Sequence, residues 1–322
     1  KDKRWPICRM QDVYGKWPMF HFCVGKTSGK TSVLHVDFDC IILDAWSAKL
    51  LLNEIFSLYY GKDVKFPRIS FMNYMRLKTD KGDLEAEEYW KEKVKNMPSF
   101  PKLNYQKKFA EVQNVRFDRI ECDFSFIETQ RLYQKIKNYH FTPAAVISTI
   151  FMKTLAQYSE TPGLSINVTL FNRQLLHEDV NGILGEFTNN AVISYQEKTD
   201  SLLDAIRATQ EQMWRLVQYR KFEGSNILKM LSSGRAGKAI MPVVFTCMLE
   251  GNVSKVTKKR YSFKEEYAIS QTPQVVLDHH VRDDLGYLKI SWDYIIDIFD
   301  KQYITDIFGA YVNNIKKFME KY

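Results

Sequence analysis

The sequence contains no run of eighteen apolar residues, so no helical membrane span is expected. Its opening, Lys1-Asp2-Lys3-Arg4-Trp5-Pro6, lacks the apolar core of a secretion signal. It also lacks a Met, so residue 1 is not expected to be a natural start. Cysteine is sparse: Cys8, Cys23, Cys40, Cys122 and Cys247 are odd in number, scattered, and form no CxxC. That excludes a disulfide framework or a zinc site and makes the cytoplasm the expected location. There is no glycine-rich phosphate loop, no GxSxG elbow, no internal repeat and no low-complexity segment. His279 and His280 are adjacent in a predicted strand, where neighbours face opposite ways, so they cannot share one ion and no metal is expected.

What is present is ordinary for a folded chain: 45% hydrophobic and 26% charged over 322 residues. That length suits one large domain or two lobes sharing an interface. The net charge of +8 invites a nucleic-acid reading, but the lysines are spread along the chain. The densest stretch, Lys255 to Arg260, has four basic residues in six and reads as a solvated loop. A basic surface equally suits an acidic protein partner, and no nucleic-acid partner is expected.

Alternation over 33–38 predicts a strand, and the spacing of Leu51, Ile55, Leu58 and Tyr59 predicts a helix ending at Gly61. A helix is predicted over 84–95. Pro98 and Pro101 then break the pattern in MPSFPKLNY, a crossover or linker. Beyond it, strands are predicted near 115–123, 164–171, 242–249, 274–281 and 287–293. Helices are predicted near 128–139, after Thr142-Pro143, and after Ser201 with Asp204. The spacing from Ile304 to Met319 gives the last helix one apolar face. The sum is an α/β protein with mixed sheets, divided into 1–105 and 106–322.

Four segments carry candidate chemistry. Asp39, Asp44 and Ser47 converge on the turn before the first helix, where Asp44 or Ser47 would serve equally as a cap and Asp39 would bond its own turn. Asn167 and Thr169 share one face of the 164–171 strand, lining a site or meeting solvent. Thr246 sits in Pro242–Leu249, a strand apolar enough to be buried on both faces, where a neighbouring backbone group would satisfy its hydroxyl. Asp278 interrupts the apolar strand after Gln274, as a general acid or base or as an aspartate at the strand's exposed end.

Together these segments resemble the heterocyclization family, a branch of the condensation domains of nonribosomal peptide synthetases. Ordinary condensation domains carry HHxxxDG at the first turn. The cyclizing branch carries DxxxxDxxS, which stands here as Asp39, Asp44 and Ser47. MPSFPKLNY, Thr142-Pro143, NVTLFNR, GEFTNN, PVVFTCML, SQTPQVVLD and Ile290-Ser291-Trp292-Asp293 are similar to the family's later motifs and follow in its order. Glu186, Cys247 and Tyr158 depart from the family's usual Asp, Ser and Trp. The upstream part of the family's first lobe is absent, and that missing N-terminal part is expected to exist elsewhere.

The resemblance implies a chloramphenicol-acetyltransferase-like fold, two lobes in a V around a tunnel. It implies amide formation between a donor thioester and a carrier-bound cysteine, serine or threonine, then cyclodehydration to a thiazoline or oxazoline. It assigns Asp278 as acid/base, Thr246 as its orienting hydrogen-bond partner, Asn167 to position the intermediate and Gln274 to assist. Asp39 and Asp44 are expected to be structural, with Asp44 paired to Arg173 across the lobes. No cofactor is expected on the domain itself, since phosphopantetheine arrives on donor and acceptor carrier proteins, beside neighbouring synthetase domains. An amide-forming condensation domain without cyclization, and an inert carrier-docking module, are the alternatives.

Overall fold

Short polar side chains set the helix ends of this protein, and period-two alternation sets its strands. The computed structural model describes residues 17–26, 29, 31–78, 83–197, 201–232, 242–249, 265–272, 274–284 and 286–321. The loop expected at 255–260 lies outside them. The described residues form two compact units. One falls within residues 1–81 and adds Phe171–Thr188; the other falls within 82–170 and 189–322.

In the first unit, strands β1 (Phe20–Lys26) and β2 (Ser32–Phe38) pair antiparallel, Phe20 opposite Phe38 and Lys26 opposite Ser32. Alternation gathers Phe20, Phe22 and Val24 with Leu34, Val36 and Phe38 on one face. Helix α1 (Ala45–Tyr59) starts earlier than the spacing from Leu51 predicted, because Asp44 caps it. Beyond its C-cap, Gly61 takes φ 66°, the left-handed conformation that closes helices. A short helix, α2 (Phe71–Leu77), is capped by Ser70. A small core joins Tyr74 to Val180, Ile183 and Phe187. Gly185 passes so close to Phe71 that a Cβ would lie 2.2 Å from its Cδ2, so only glycine fits.

The second unit runs α3 (Leu84–Lys95), β3 (Phe117–Asp123), α4 (Phe126–Asn138), α5 (Pro143–Gln157), β4 (Gly163–Phe171), β5 (Thr188–Gln196), α6 (Leu202–Gln218), α7 (Gly224–Ser232), β6 (Val243–Met248), β7 (Leu277–Asp284), β8 (Tyr287–Ile295) and α8 (Lys301–Lys321). Each predicted strand and helix has its counterpart here. Strands β1 and β5 and helices α2 and α7 were not anticipated. Asp83 caps α3, with Glu85 and Glu87 in its first turn and Lys93 and Lys95 in its last, matching the helix dipole. Ser125 and Glu128 form a capping box on α4, and Thr142 caps α5 with Pro143 in its first turn. The proline-rich segment runs beside β4, where Ser165 donates from its amide to the Ser99 carbonyl at 2.9 Å and from Oγ to the Pro98 carbonyl at 2.7 Å. The compact units therefore differ from the expected division at 105 in two places. Helix α3 with this segment falls in the second unit, and Phe171–Thr188, the excursion between β4 and β5, falls in the first.

The main sheet is mixed, in the order β3-β8-β7-β6-β4-β5, with β4, β6 and β7 parallel and β7, β8 and β3 antiparallel. One face is apolar. Phe245 and Trp292 lie against Phe151 of α5, and Trp292 also meets Phe308 and Tyr311 of α8, all buried. Among the described residues, no helix is long and apolar enough to cross a membrane.

Candidate active site

Asp44 is wholly engaged within the first unit. Its Oδ1 accepts from Ser47 N at 2.6 Å and from Arg173 Nη2 at 3.3 Å, and its Oδ2 accepts from Phe187 N at 3.3 Å. Ser47 Oγ donates to the Gly185 carbonyl at 2.7 Å and accepts from Arg173 Nη2 at 2.7 Å. Arg173 Nη1 donates to the carbonyls of Val180 and Ile183, both at 2.8 Å, and the guanidinium lies 3.9 Å from the centre of the Phe187 ring. Burial pushes Arg173 below its ordinary value, opposed by Asp44. The pair stands within one compact unit rather than across two lobes, because Phe171–Thr188 packs with α1 and α2. Asp39 bonds its own turn, its Oδ1 accepting from Ile41 N at 2.9 Å. The bonds of this motif are those of a frame.

The remaining site residues belong to the second unit, where register gathers them on the sheet face opposite the helices. One row runs Asn167 (β4), Val244 (β6), Asp278 (β7), Asp293 (β8) and Arg119 (β3), each opposite the next. The adjacent row carries Thr246 (β6), His280 (β7), Ser291 (β8) and Glu121 (β3). Residues two apart on a strand share a face, so both rows look the same way. Asn167 and Asp278 are each 5% exposed, and the Oδ1 of each has no hydrogen-bond partner among the described residues. Asn167 Nδ2 donates to Asn190 Oδ1 at 3.3 Å.

Thr246 is buried as expected, but its hydroxyl donates to Thr169 Oγ1 at 3.0 Å and not to Asp278. Register is the reason: Val244 stands opposite Asp278, and Thr246 stands opposite His280. Gln274 lies exposed in the turn before β7.

Sequence reasoning assigned no part to His280, Asp293 or Arg119. Arg119 grips Asp293 through Nε–Oδ1 at 2.6 Å and Nη2–Oδ2 at 2.7 Å, both side chains buried. Ser270 N also donates to Asp293 Oδ2 at 2.8 Å, and the Tyr267 ring lies 6.0 Å from the Arg119 guanidinium, so residues 265–272 cross this face. His280 Nε2 lies 3.2 Å from Asp278 Oδ2 and 3.6 Å from Asp293 Oδ2, without a well-aligned hydrogen bond to either. Burial alone would lower His280, but the carboxylates of Asp278 and Asp293 outweigh it and the net direction is up. His279 faces the other way. It is fully buried, pairs with the Tyr311 hydroxyl at 2.8 Å, and burial holds it well below its ordinary value. Alternation of Ser291 and Asp293 with Ile290 and Trp292 was the available signal for the polar row; its assembly across strands needed register.

Comparison with known proteins identifies the family and agrees with the fold. The sequence model of the condensation-domain family matches residues 12–322. Bacitracin synthase 1 of Bacillus licheniformis is 27% identical over 312 residues, covering 94% of this chain and 6% of that protein. Phenyloxazoline synthase MbtB of Mycobacterium bovis is 26% identical over 315 residues, covering 92% of this chain and 22% of that protein. The cyclization-docking bidomain of the EpoB nonribosomal peptide synthetase from Sorangium cellulosum superposes with a TM-score of 0.81 at 23% identity, over 94% of this chain and 63% of that one. The chain thus spans a small fraction of the curated relatives it matches, and the structural likeness speaks to the fold.

Proposed function

Because the chain belongs to the condensation-domain family, we propose that it is a heterocyclization domain of a nonribosomal peptide synthetase. It joins a donor acyl thioester to a cysteine, serine or threonine held on a carrier protein, and then closes the ring. In the first step the acceptor amine attacks the thioester, an amide forms, and the donor arm leaves as a thiol. The thioester is already activated, so proximity supplies most of what this step needs. In the second step the side-chain thiol or hydroxyl attacks the new amide carbonyl and water leaves. Hydroxide is a poor leaving group, so this step needs a group that takes a proton from the nucleophile and returns one to the departing oxygen.

The observation that carries the reading is Asp278: a buried carboxylate with one oxygen lacking any partner among the described residues, on the sheet face that also presents Asn167 and Thr246. We assign Asp278 as the acid/base. Thr246 shares its face one row along and acts beside it through the hydroxyl pair with Thr169. Asn167 holds the carbonyl oxygen of the intermediate through the Nδ2 hydrogen that Asn190 does not take, and Gln274 assists at the margin. Asp39, Asp44, Ser47 and Arg173 frame the first unit and take no proton. The partners are donor and acceptor carrier proteins bearing phosphopantetheine arms and neighbouring synthetase domains. The likeness to a protein named phenyloxazoline synthase supports the ring-forming reading.

The test is intact mass spectrometry of the carrier-bound product, from full-length protein with donor-loaded and cysteine-, serine- or threonine-loaded carriers. Wild type is expected to give a peptide lighter by one water, and Asp278→Ala the linear amide. Linear amide from wild type with all three acceptors means an amide-forming condensation domain. No product at all means a docking module.

A further inference from the structure

One titratable side chain on the polar face has no part in the chemistry above. His280 stands between Asp278, two residues before it on β7, and Asp293 on β8, at 3.2 and 3.6 Å from their Oδ2 atoms. Both neighbours of Nε2 are carboxylate oxygens, at ion-pair distance from a protonated ring and without a well-aligned hydrogen bond to either. Asp293 cannot swing toward His280, because Arg119 holds both of its oxygens and Ser270 N donates to Oδ2. Among the described residues Asp278 has no such clamp, and His280 Nε2 lies 3.2 Å from its Oδ2.

The other charges facing this position are settled among themselves. Arg282, next along the same face of β7, pairs with Glu265 of the crossing segment. Lys289 on β8, opposite Arg282, pairs with Glu121 and Asp123 of β3. Arg119 is the cation that opposes a charge on His280, and it is neutralised by Asp293. Thr246 and Ser291, opposite His280 on either side, are uncharged. His279 lies on the far face, with its ring among Phe151, Phe245 and Tyr311.

We propose that His280 is a positioning residue for ring closure: as the imidazolium it pairs with Oδ2 of Asp278 and leaves Oδ1 to the substrate. The inference rests on the heterocyclization reading above. His280 keeps its proton throughout. The nucleophile's proton passes to Asp278 and a proton passes on to the departing oxygen, so none is gained or lost at the imidazole. When His280 is deprotonated, Asp278 and Asp293 stand opposite each other with no cation between them, and Asp278 loses its fixed orientation. Ring closure therefore has an alkaline limb set by His280, consistent with the upward pull of the two carboxylates on the imidazole.

Two measurements test this. The ratio of cyclized to linear carrier-bound product is followed against pH for wild type, His280→Ala and His280→Gln. The alanine variant is expected to accumulate linear amide, with ring formation down about tenfold or more. The glutamine variant, which offers an amide N–H but no charge, is expected to recover only part of that loss and to lack the alkaline limb. Independently of activity, the His280 imidazole is titrated by NMR in histidine-labelled protein, assigned through His280→Gln, in wild type and Asp278→Asn. Loss of the Asp278 charge is expected to move the titration down by about one pH unit or more. Wild-type ring formation in His280→Ala, or a titration unmoved in Asp278→Asn, overturns the role. Linear amide alone from wild type overturns the heterocyclization reading and this role with it, and the wild-type product tells that failure from the first two.

Discussion

Asp44 and Asp278 are both buried carboxylates at the edge of a regular element, and their surroundings differ in kind. Asp44 has each oxygen bonded, to Ser47 N, Arg173 and Phe187 N. Asp278 has Oδ2 beside His280 and Oδ1 with no partner among the described residues. A buried acceptor left open costs stability. On the reading proposed above, the difference separates a carboxylate that builds the fold from one left for chemistry, although both belong to motifs with the same family resemblance.

Removing each acid and measuring stability by denaturant separates the two roles. Asp44→Ala leaves the Arg173 guanidinium buried without its carboxylate, and is expected to cost about 3–5 kcal/mol. Asp278→Asn keeps the shape and still offers an acceptor to His280, and is expected to change stability by about 1 kcal/mol or less while stopping product at the linear amide. Equal losses of stability would mean that Asp278 is also part of the frame. Next in size, Ser47→Ala removes the hydroxyl that links Gly185 and Arg173, and is expected to cost about 1–3 kcal/mol. Thr246→Val removes one partner of a hydroxyl pair and is expected to cost about 1 kcal/mol, with a larger effect on ring closure than on folding. A ring yield that falls only in proportion to stability would remove Thr246 from the chemistry.

The comparison also explains what the sequence could and could not tell. The turn of Asp39, Asp44 and Ser47 drew attention because acids and a hydroxyl crowd a few residues, and local caps and turn bonds account for most of that crowding. Helices and strands with full periods were readable, from the alternation before Phe38 to the apolar face of α8. Strand β5 was missed because Ala191–Ile193 is a short apolar run, which periodicity leaves undecided between strand and buried helix. Helix α2, at seven residues, is too short to display a period. Asn167, Thr246 and Asp278 were found one strand at a time. The partners that surround Asp278 come from strand order and register: β8 lies between β3 and β7, so Asp293 and Arg119 reach it from segments 174 residues apart in the chain. No local pattern carries that information.

The smallest expected effect sharpens the comparison within one strand. His279 and His280 are neighbours on opposite faces of β7, and their environments pull their titrations in opposite directions. His279 is lowered well below 6.5, so it is neutral in the fold while the unfolded chain takes up a proton below that value. Its contribution to stability is present above pH 6.5 and is lost as the pH falls through it. His280 is raised above 6.5, so it stays protonated in the fold where the unfolded chain has released its proton. Its contribution is fully present below pH 6.5 and is lost as the pH rises through the folded value. Unfolding free energy measured from pH 5 to 9 should therefore lose part of its acid slope in His279→Gln and part of its alkaline slope in His280→Gln. Variants that flatten the same limb would put both rings in one environment, and the two faces of the sheet would no longer divide core from chemistry.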